Sequence, residues 1–206
     1  MEGPRPAGVI LAGGRSRRLG TDKALLRLGG RTLLEHAASA LGSLCAPLII
    51  AGRVPATAVD QGVIWAADLR PGAGPLAGLE AGLAVAPQGW VAAAACDQPF
   101  LRPALLALLW SRARRSTAGA VIPVVGGRPQ PFPGFYHTCL RPLVARVLEA
   151  GPAPVRALFD LIAVETVDEA EIRTVDPDLR SFHNVNTPEA YREALALGPP
   201  GKERCP

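Results

Sequence analysis

The stretch GVILAGGRSRRLGTDK, residues 8–23, decides how this 206-residue chain is read. Residues 8–11 form a short apolar run cut off by Gly13-Gly14, the pattern of a buried strand that delivers its C-terminal end into a loop. Glycines lack a Cβ, so the backbone N–H groups of Gly13 and Gly14 can approach phosphate oxygens closely, while Arg15, Arg17, Arg18 and Lys23 add positive charge. Taken alone, the same residues also fit a glycine turn with a solvated basic face. Spacing disfavours two commoner phosphate-binding designs. A P-loop needs G-x-x-x-x-G-K-[ST], but Gly20 is followed by Thr21-Asp22-Lys23. A dinucleotide fingerprint needs G-x-G-x-x-G, which Gly13-Gly14-Arg15-Ser16 does not supply.

Working outward, Thr32-Leu33-Leu34-Glu35 matches a capping box and predicts a helix over about 33–44. Residues 47–51 and 62–65 read as buried strands separated by a turn-rich stretch. Gly74-Pro75 precedes a run of helix formers at 76–85, and 90–95 is another apolar strand, ending at Cys96-Asp97. Pro103 suits a first helical turn, continued over 104–114. A strand is expected at 119–125. After the Gly126-Gly127 turn, RPQPFPGFY (128–136) reads as an irregular, proline-stiffened strand able to wall a cleft. Short helical candidates at 140–150 and 155–162 precede an edge strand at 163–167. The brief apolar/polar segment 182–185 leads into Thr187, an N-cap with Pro188 at N1, for a helix through Leu197. Residues 199–206 read as a frayed tail.

This alternation predicts an α/β fold with a mostly parallel sheet, in one domain over 1–198. In such sheets ligands gather outside the strand C-termini, which puts Gly13-Gly14 and Asp97 on one edge. A low aromatic content of 5% suits helices on a parallel sheet better than an aromatic-rich barrel. The net charge of +4 favours an anionic partner without identifying it. Sparse aromatics and the lack of a basic aromatic motif argue against nucleic acid. Cys45, Cys96, Cys139 and Cys205 are scattered without a C-x-x-C pair, which points to reduced thiols in the cytoplasm and not to zinc or a disulfide framework. No export signal or membrane span is read. His36, His137 and His183 lack metal-helix spacing and are assigned to packing or surface roles. Arg112, Arg114 and Arg115 read as the solvated end of a helix. Ser16 lacks a G-x-S-x-G context, so no serine hydrolase is suggested.

The ordered set LAGGRSRRLGTDK (11–23), GPLAG (74–78), CDQPFL (96–101), RPQPFPGFY (128–136) and NVNTPE (184–189) resembles the molybdenum cofactor guanylyltransferases (MobA). These belong to the wider nucleotidyltransferases built on a three-layer Rossmann-like sheet with helices on both faces. The resemblance spans nearly the whole chain, and Asp22-Lys23 resembles the guanylyltransferases, whereas related cytidylyltransferases often place proline before the lysine. It implies a nucleotide-binding half over about 1–100 and a pterin-substrate half over about 101–198. It further implies that Leu11, Ala12 and Gly13 contact GTP, with Gly14 and Arg15 in the same loop, and that Lys23 neutralises phosphates. Asp68 and Gly74 would hold the guanosine part, Asp97 would bind Mg2+, and Asn184 and Asn186 would face the pterin side. Where family members can carry asparagine at the end of the second strand, this chain reads Ile49-Ile50-Ala51-Gly52.

The implied reaction transfers GMP from GTP to the terminal phosphate of molybdenum-molybdopterin and releases pyrophosphate. Phosphate is already anionic, so positioning and charge neutralisation should dominate over a strong general base. Mg2+ accepts one carboxylate plus substrate phosphates, and Asp97 is the residue chosen; its competing role is an N-terminal cap for the helix near Pro103. Asp68 fits either a contact to sugar or base, or a surface turn. Arg15 or Arg18 could clamp other phosphate oxygens. Transient contacts with molybdenum cofactor biosynthesis or acceptor enzymes are also implied. The alternatives are a related enzyme using CTP or another phosphorylated acceptor, and a noncatalytic nucleotide- or nucleic-acid-binding module.

Overall fold

Strand β1 (Ala7–Leu11) is buried throughout because helices cover both of its faces, the reason it reads as an unbroken apolar run. The structure, a computed structural model, describes residues 5–13, 22–52 and 62–198. A short 3-10 turn, Lys23–Leu25, leads to a small hairpin of β2 (Arg27–Leu28) and β3 (Arg31–Thr32), then to α1 (Leu33–Gly42) and β4 (Leu48–Ala51). β5 (Val63–Ala66), α2 (Pro75–Val85), β6 (Trp90–Ala95) and α3 (Pro103–Ala113) follow. Next come β7 (Ala120–Val125), β8 (Arg128–Pro129), β9 (Gly134–His137) and α4 (Arg141–Glu149). β10 (Val164–Val167), α5 (Glu169–Arg173) and α6 (Pro188–Leu197) complete the order.

The main sheet runs β10-β7-β9-β6-β1-β4-β5, with β8 paired to β7. All pairs along it are parallel except those made by β9, which is antiparallel to both β6 and β7. β9 therefore begins at the edge where β6 and β1 end, with Gly134 opposite Ala93. Successive strand residues alternate between two cores, as a period of two requires. Ile10, Ile50, Ala92 and Ala94 pack with α1, α3 and Ile172 of α5. Val9, Leu11, Ile49, Val91 and Ala93 pack with α2 and α4. These are the three layers of the α/β fold.

Two small residues let α2 lie close on β1. A Cβ at Gly82 would stand 2.6 Å from Val9 Cγ1, and one at Gly78 would stand 2.9 Å from Leu11 Cδ2. Spaced four apart, the two glycines lie on one helix face and bring the start of α2 against the end of β1. A third cluster joins Leu28, Leu33, Phe100, Val185 and Ala194. With the Tyr191 hydroxyl donating to the Arg27 carbonyl at 2.6 Å, it ties the C-terminal helix to the β2–β3 hairpin.

The capping box at Thr32 is present: its hydroxyl accepts from Glu35 N, and Glu35 Oε2 accepts from Thr32 N. That backbone bond holds the Glu35 carboxyl below the usual carboxylate range. Thr32→Ala is expected to cost about 1 kcal/mol in urea unfolding. A folded-state pKa below the unfolded one means that Glu35 stabilises the protein above the ordinary glutamate range and loses that contribution as pH falls through the lowered value.

Several boundaries differ from expectation. α1 stops at Gly42, two residues short of Leu44, and 155–162 contains only a 3-10 turn, Val155–Leu158. The β2–β3 hairpin and α5 are additional elements. Arg112 is not simply solvated: its guanidinium pairs with both carboxylate oxygens of Glu171. Among the three histidines, His36 is buried against the Leu28 carbonyl, His137 packs edge-on to Trp90, and His183 edge-on to Phe100. No described helix is long and apolar enough to cross a membrane. Residues 199–206 lie outside the described residues.

Candidate active site

The C-terminal ends of β1, β4, β5 and β6 open onto a cleft of about 670 Å³. Leu11, Ala12, Gly13, Lys23, Asp68, Gly74, Asp97, Asn184 and Asn186 all line it. The described residues expected from sequence thus meet in one place. Gly14, Arg15, Arg17 and Arg18 lie outside the described residues.

At the centre, Lys23 Nζ donates to Asp97 Oδ2 at 2.9 Å and to Asn186 Oδ1 at 2.6 Å. These residues come from three motifs separated by 74 and 163 positions from Lys23, and each is placed by a local device. Asp22 caps the 3-10 turn that presents Lys23, its Oδ1 accepting from Ala24 N at 3.1 Å, while buried Ala24 anchors the turn in the core. This gives the Asp22-Lys23 order a physical reason. Asp97 follows the end of β6 after one intervening residue, Cys96. Its carbonyl accepts from Val185 N at 2.8 Å, which clamps the Asn184–Asn186 segment to the strand end. Upstream, fully buried Asp176 accepts from Arg180 N and Ser181 N and pairs with Arg102 at 3.1 Å. The chain entering Asn184 is thereby tied to the start of α3. Residues 182–185 make this connection without joining the sheet ladder.

Asp97 does not cap α3: Arg102 occupies the N-cap position, and no side chain caps it. Its carboxylate instead faces the cleft, mostly buried and charge-paired, an environment that selects for cations. Among the described residues no three His, Cys, Asp or Glu side chains form a metal-holding group. The Asp97 carboxylate is a hard oxygen donor, the chemistry that divalent cations such as Mg2+ accept. Neighbouring Cys96 is buried, and burial first, then the Asp97 charge, pushes its thiol up to about 12. At neutral pH it is a neutral packing group, not a thiolate nucleophile.

Asp68 lines the cleft, and its Oδ1 accepts from Arg70 N at 3.1 Å in a local turn, the second of the two roles weighed from sequence. Arg70 in turn pairs with buried Glu80 of α2 at 3.0 Å, which anchors that turn to the core. Sequence reasoning missed Arg70, Glu80, Gln98, Gln130 and Phe132. Of these, Gln98 in CDQP and Gln130 in RPQP lay within motifs already singled out. The Arg70–Glu80 pairing had no such signal, since it joins a loop to a helix across ten residues.

Residues 8–167 match the model of the MobA-like NTP transferase domain family. A molybdenum cofactor guanylyltransferase from Desulfosudis oleivorans is 33% identical over 190 residues, covering 92% of this chain and 94% of that protein. The crystal structure of molybdopterin-guanine dinucleotide biosynthesis protein A from Archaeoglobus fulgidus superposes with a TM-score of 0.79 at 26% identity, covering 93% of this chain and 97% of that one. A 2-C-methyl-D-erythritol 4-phosphate cytidylyltransferase from Thermus thermophilus shares the fold at a TM-score of 0.70 and 24% identity, with coverages of 93% and 98%.

Proposed function

We infer, from the membership of this chain in the MobA-like NTP transferase domain family, that it is a molybdenum cofactor guanylyltransferase. It transfers GMP from GTP to the terminal phosphate of molybdopterin. The observation that carries the reading is the Lys23–Asp97–Asn186 junction, which draws three distant motifs to the strand edge where a triphosphate must lie. An oxygen of the acceptor phosphate attacks the α-phosphorus of GTP. A new P–O bond forms, the bond from the α-phosphorus to the bridging oxygen breaks, and pyrophosphate leaves with the electron pair. No side chain needs to remove a proton from an anionic phosphate, so the protein's task is alignment and charge neutralisation.

The backbone of Leu11, Ala12 and Gly13 cradles the nucleotide, with Gly14 and Arg15 continuing the loop. Asp68 and Gly74 hold the guanosine end. Lys23 is a point charge for the phosphates, and Asn184 and Asn186 face the acceptor. Asp97 would hold Mg2+, which supplies neutralisation of the charge developing on the transferring and leaving phosphates. The nucleotide is thus assigned to about 1–100 and the pterin to about 101–198. The cytoplasm, where GTP and the acceptor are at hand, is the proposed compartment.

The test is GTP- and Mg2+-dependent conversion of molybdopterin to its guanine dinucleotide, with pyrophosphate released in equal amount. Faster transfer from CTP than from GTP would overturn the guanylyl assignment. GTP binding without turnover would leave a noncatalytic nucleotide-binding module. Lys23→Ala is expected to raise KM for GTP about tenfold; unchanged initial-rate kinetics would remove Lys23 from phosphate binding.

A further inference from the structure

Gln98 is 2% exposed, yet it belongs to none of the groups that neutralise the triphosphate. Its Oε1 accepts from Ala95 N at 3.3 Å, and its Nε2 donates to the Phe132 carbonyl at 2.9 Å. The side chain thus couples the end of β6, two residues before Asp97, to the strap of Gln130, Pro131 and Phe132 between β8 and β9. Three further features fix that strap. Gln130 N donates to the Pro123 carbonyl at 2.8 Å, and the buried Tyr136 hydroxyl donates to the Pro131 carbonyl at 2.7 Å. Gly134 is required where a Cβ would stand 2.7 Å from that same carbonyl. With its backbone committed inward, the strap lines the cleft with the half-buried side chains of Gln130 and Phe132.

The strap lies at the far end of the cleft from Asp68. β9 is three strands from β4 in the sheet order, about 14 Å at the usual inter-strand spacing, and Asp68 lies beyond β4, after β5. The guanosine end and the strap therefore flank the Lys23–Asp97 centre from opposite sides. In-line transfer sets the acceptor oxygen opposite the leaving pyrophosphate at the α-phosphorus, with the ribose oxygen to the side of that line, so an acceptor wall away from the guanosine end leaves the line of attack free. An aromatic ring beside a primary amide suits a planar, apolar-faced heterocycle with hydrogen-bonding edges.

We propose that the Gln130–Phe132 strap receives the pterin ring system of the acceptor, and that Gln98 is the positioning residue that holds this wall at a set distance from Asp97. The inference rests on the guanylyltransferase reading above. It is tested by initial rates with molybdopterin and GTP varied separately for Phe132→Ala, Gln130→Ala and Gln98→Met, with thermal melts of each. Gln98→Met keeps the volume and removes both hydrogen bonds; Gln130→Ala and Phe132→Ala alter side chains that line the cleft.

The expected result is a KM for molybdopterin raised about tenfold in each variant, with KM for GTP within about twofold of the unaltered protein. A general loss of structure would lower the melting temperature and the apparent kcat with no selective rise in KM for molybdopterin, and in Gln98→Met that outcome would overturn its positioning role. A selective rise in KM for GTP would assign the strap to the nucleotide and overturn the proposal, as would unchanged values for Gln130→Ala and Phe132→Ala. An unaltered protein that makes guanine dinucleotide while the variants match it defeats the strap alone; an unaltered protein that makes none defeats the guanylyltransferase reading and the strap together.

Discussion

Asp97→Ala is expected to abolish pyrophosphate release, lowering kcat/KM by about a thousandfold or more, while the protein stays folded. The carboxylate pairs with Lys23 at 2.9 Å and lines the cleft proposed to hold Mg2+ and the triphosphate. Removing it deletes a hard oxygen donor and leaves Lys23 with Asn186 as its remaining side-chain partner among the described residues. The fold should tolerate the change. The link between β6 and the Asn184–Asn186 segment runs through the Asp97 carbonyl, which alanine retains. The Lys23 ammonium lines the open cleft, where water can replace the lost carboxylate, so the stability loss should stay below the ~3–5 kcal/mol of a fully buried broken pair. Circular dichroism and urea unfolding check the fold, and a coupled pyrophosphate assay checks the chemistry. Magnesium-dependent turnover retained by the variant would remove Asp97 from metal binding.

The legible parts of the chain were those in which local chemistry and the final structure agree. Thr32 and Glu35 announce a helix start that needs no tertiary contact to be recognised. Residues 90–95 form a strand with those same limits, because small apolar residues buried on both faces offer no alternative period. Asp97 could be placed at a strand end for the same reason. The unread parts depend on partners far away in sequence. Residues 155–162 have helical composition, but only Val155–Leu158 curls, since Val155 and Leu158 are spent on the face shared with α2 and α4. Arg112 looked like a solvated helix end until α5, too short to be read, brought Glu171 to it. The site shows the same division. Each motif announced its own residues, but Lys23, Asp97 and Asn186 are drawn into a single unit by contacts distant in sequence, among them the bond from Val185 N to the Asp97 carbonyl and the satellite core shared by Phe100, Val185 and Leu28.

Gly52→Ala is expected to raise KM for GTP about a hundredfold and to destabilise the fold by about 2 kcal/mol. From sequence, Ile49-Ile50-Ala51-Gly52 stands where family members can carry asparagine at the end of the second strand. The structure gives this position a different role. A Cβ on Gly52 would stand 2.6 Å from Gly13 N, 2.7 Å from Ala12 C and 2.9 Å from Ala12 O, all backbone atoms that cannot rotate away. Its φ of +134° also lies where L side chains are rarely found. The end of β4 therefore presses directly on the backbone proposed to cradle the phosphates, and an added methyl group must push that cradle into the cleft. Gly30→Ala separates collision from strain: its φ is +88°, but nothing lies within 4 Å of the added Cβ, and it sits in the β2–β3 hairpin turn outside the cleft. That variant should lose about 1 kcal/mol with KM for GTP unchanged. Initial rates and urea unfolding of both proteins decide the matter. If Gly52→Ala loses only stability, as Gly30→Ala should, the close packing of β4 on residues 12–13 supports the fold without shaping the nucleotide cradle.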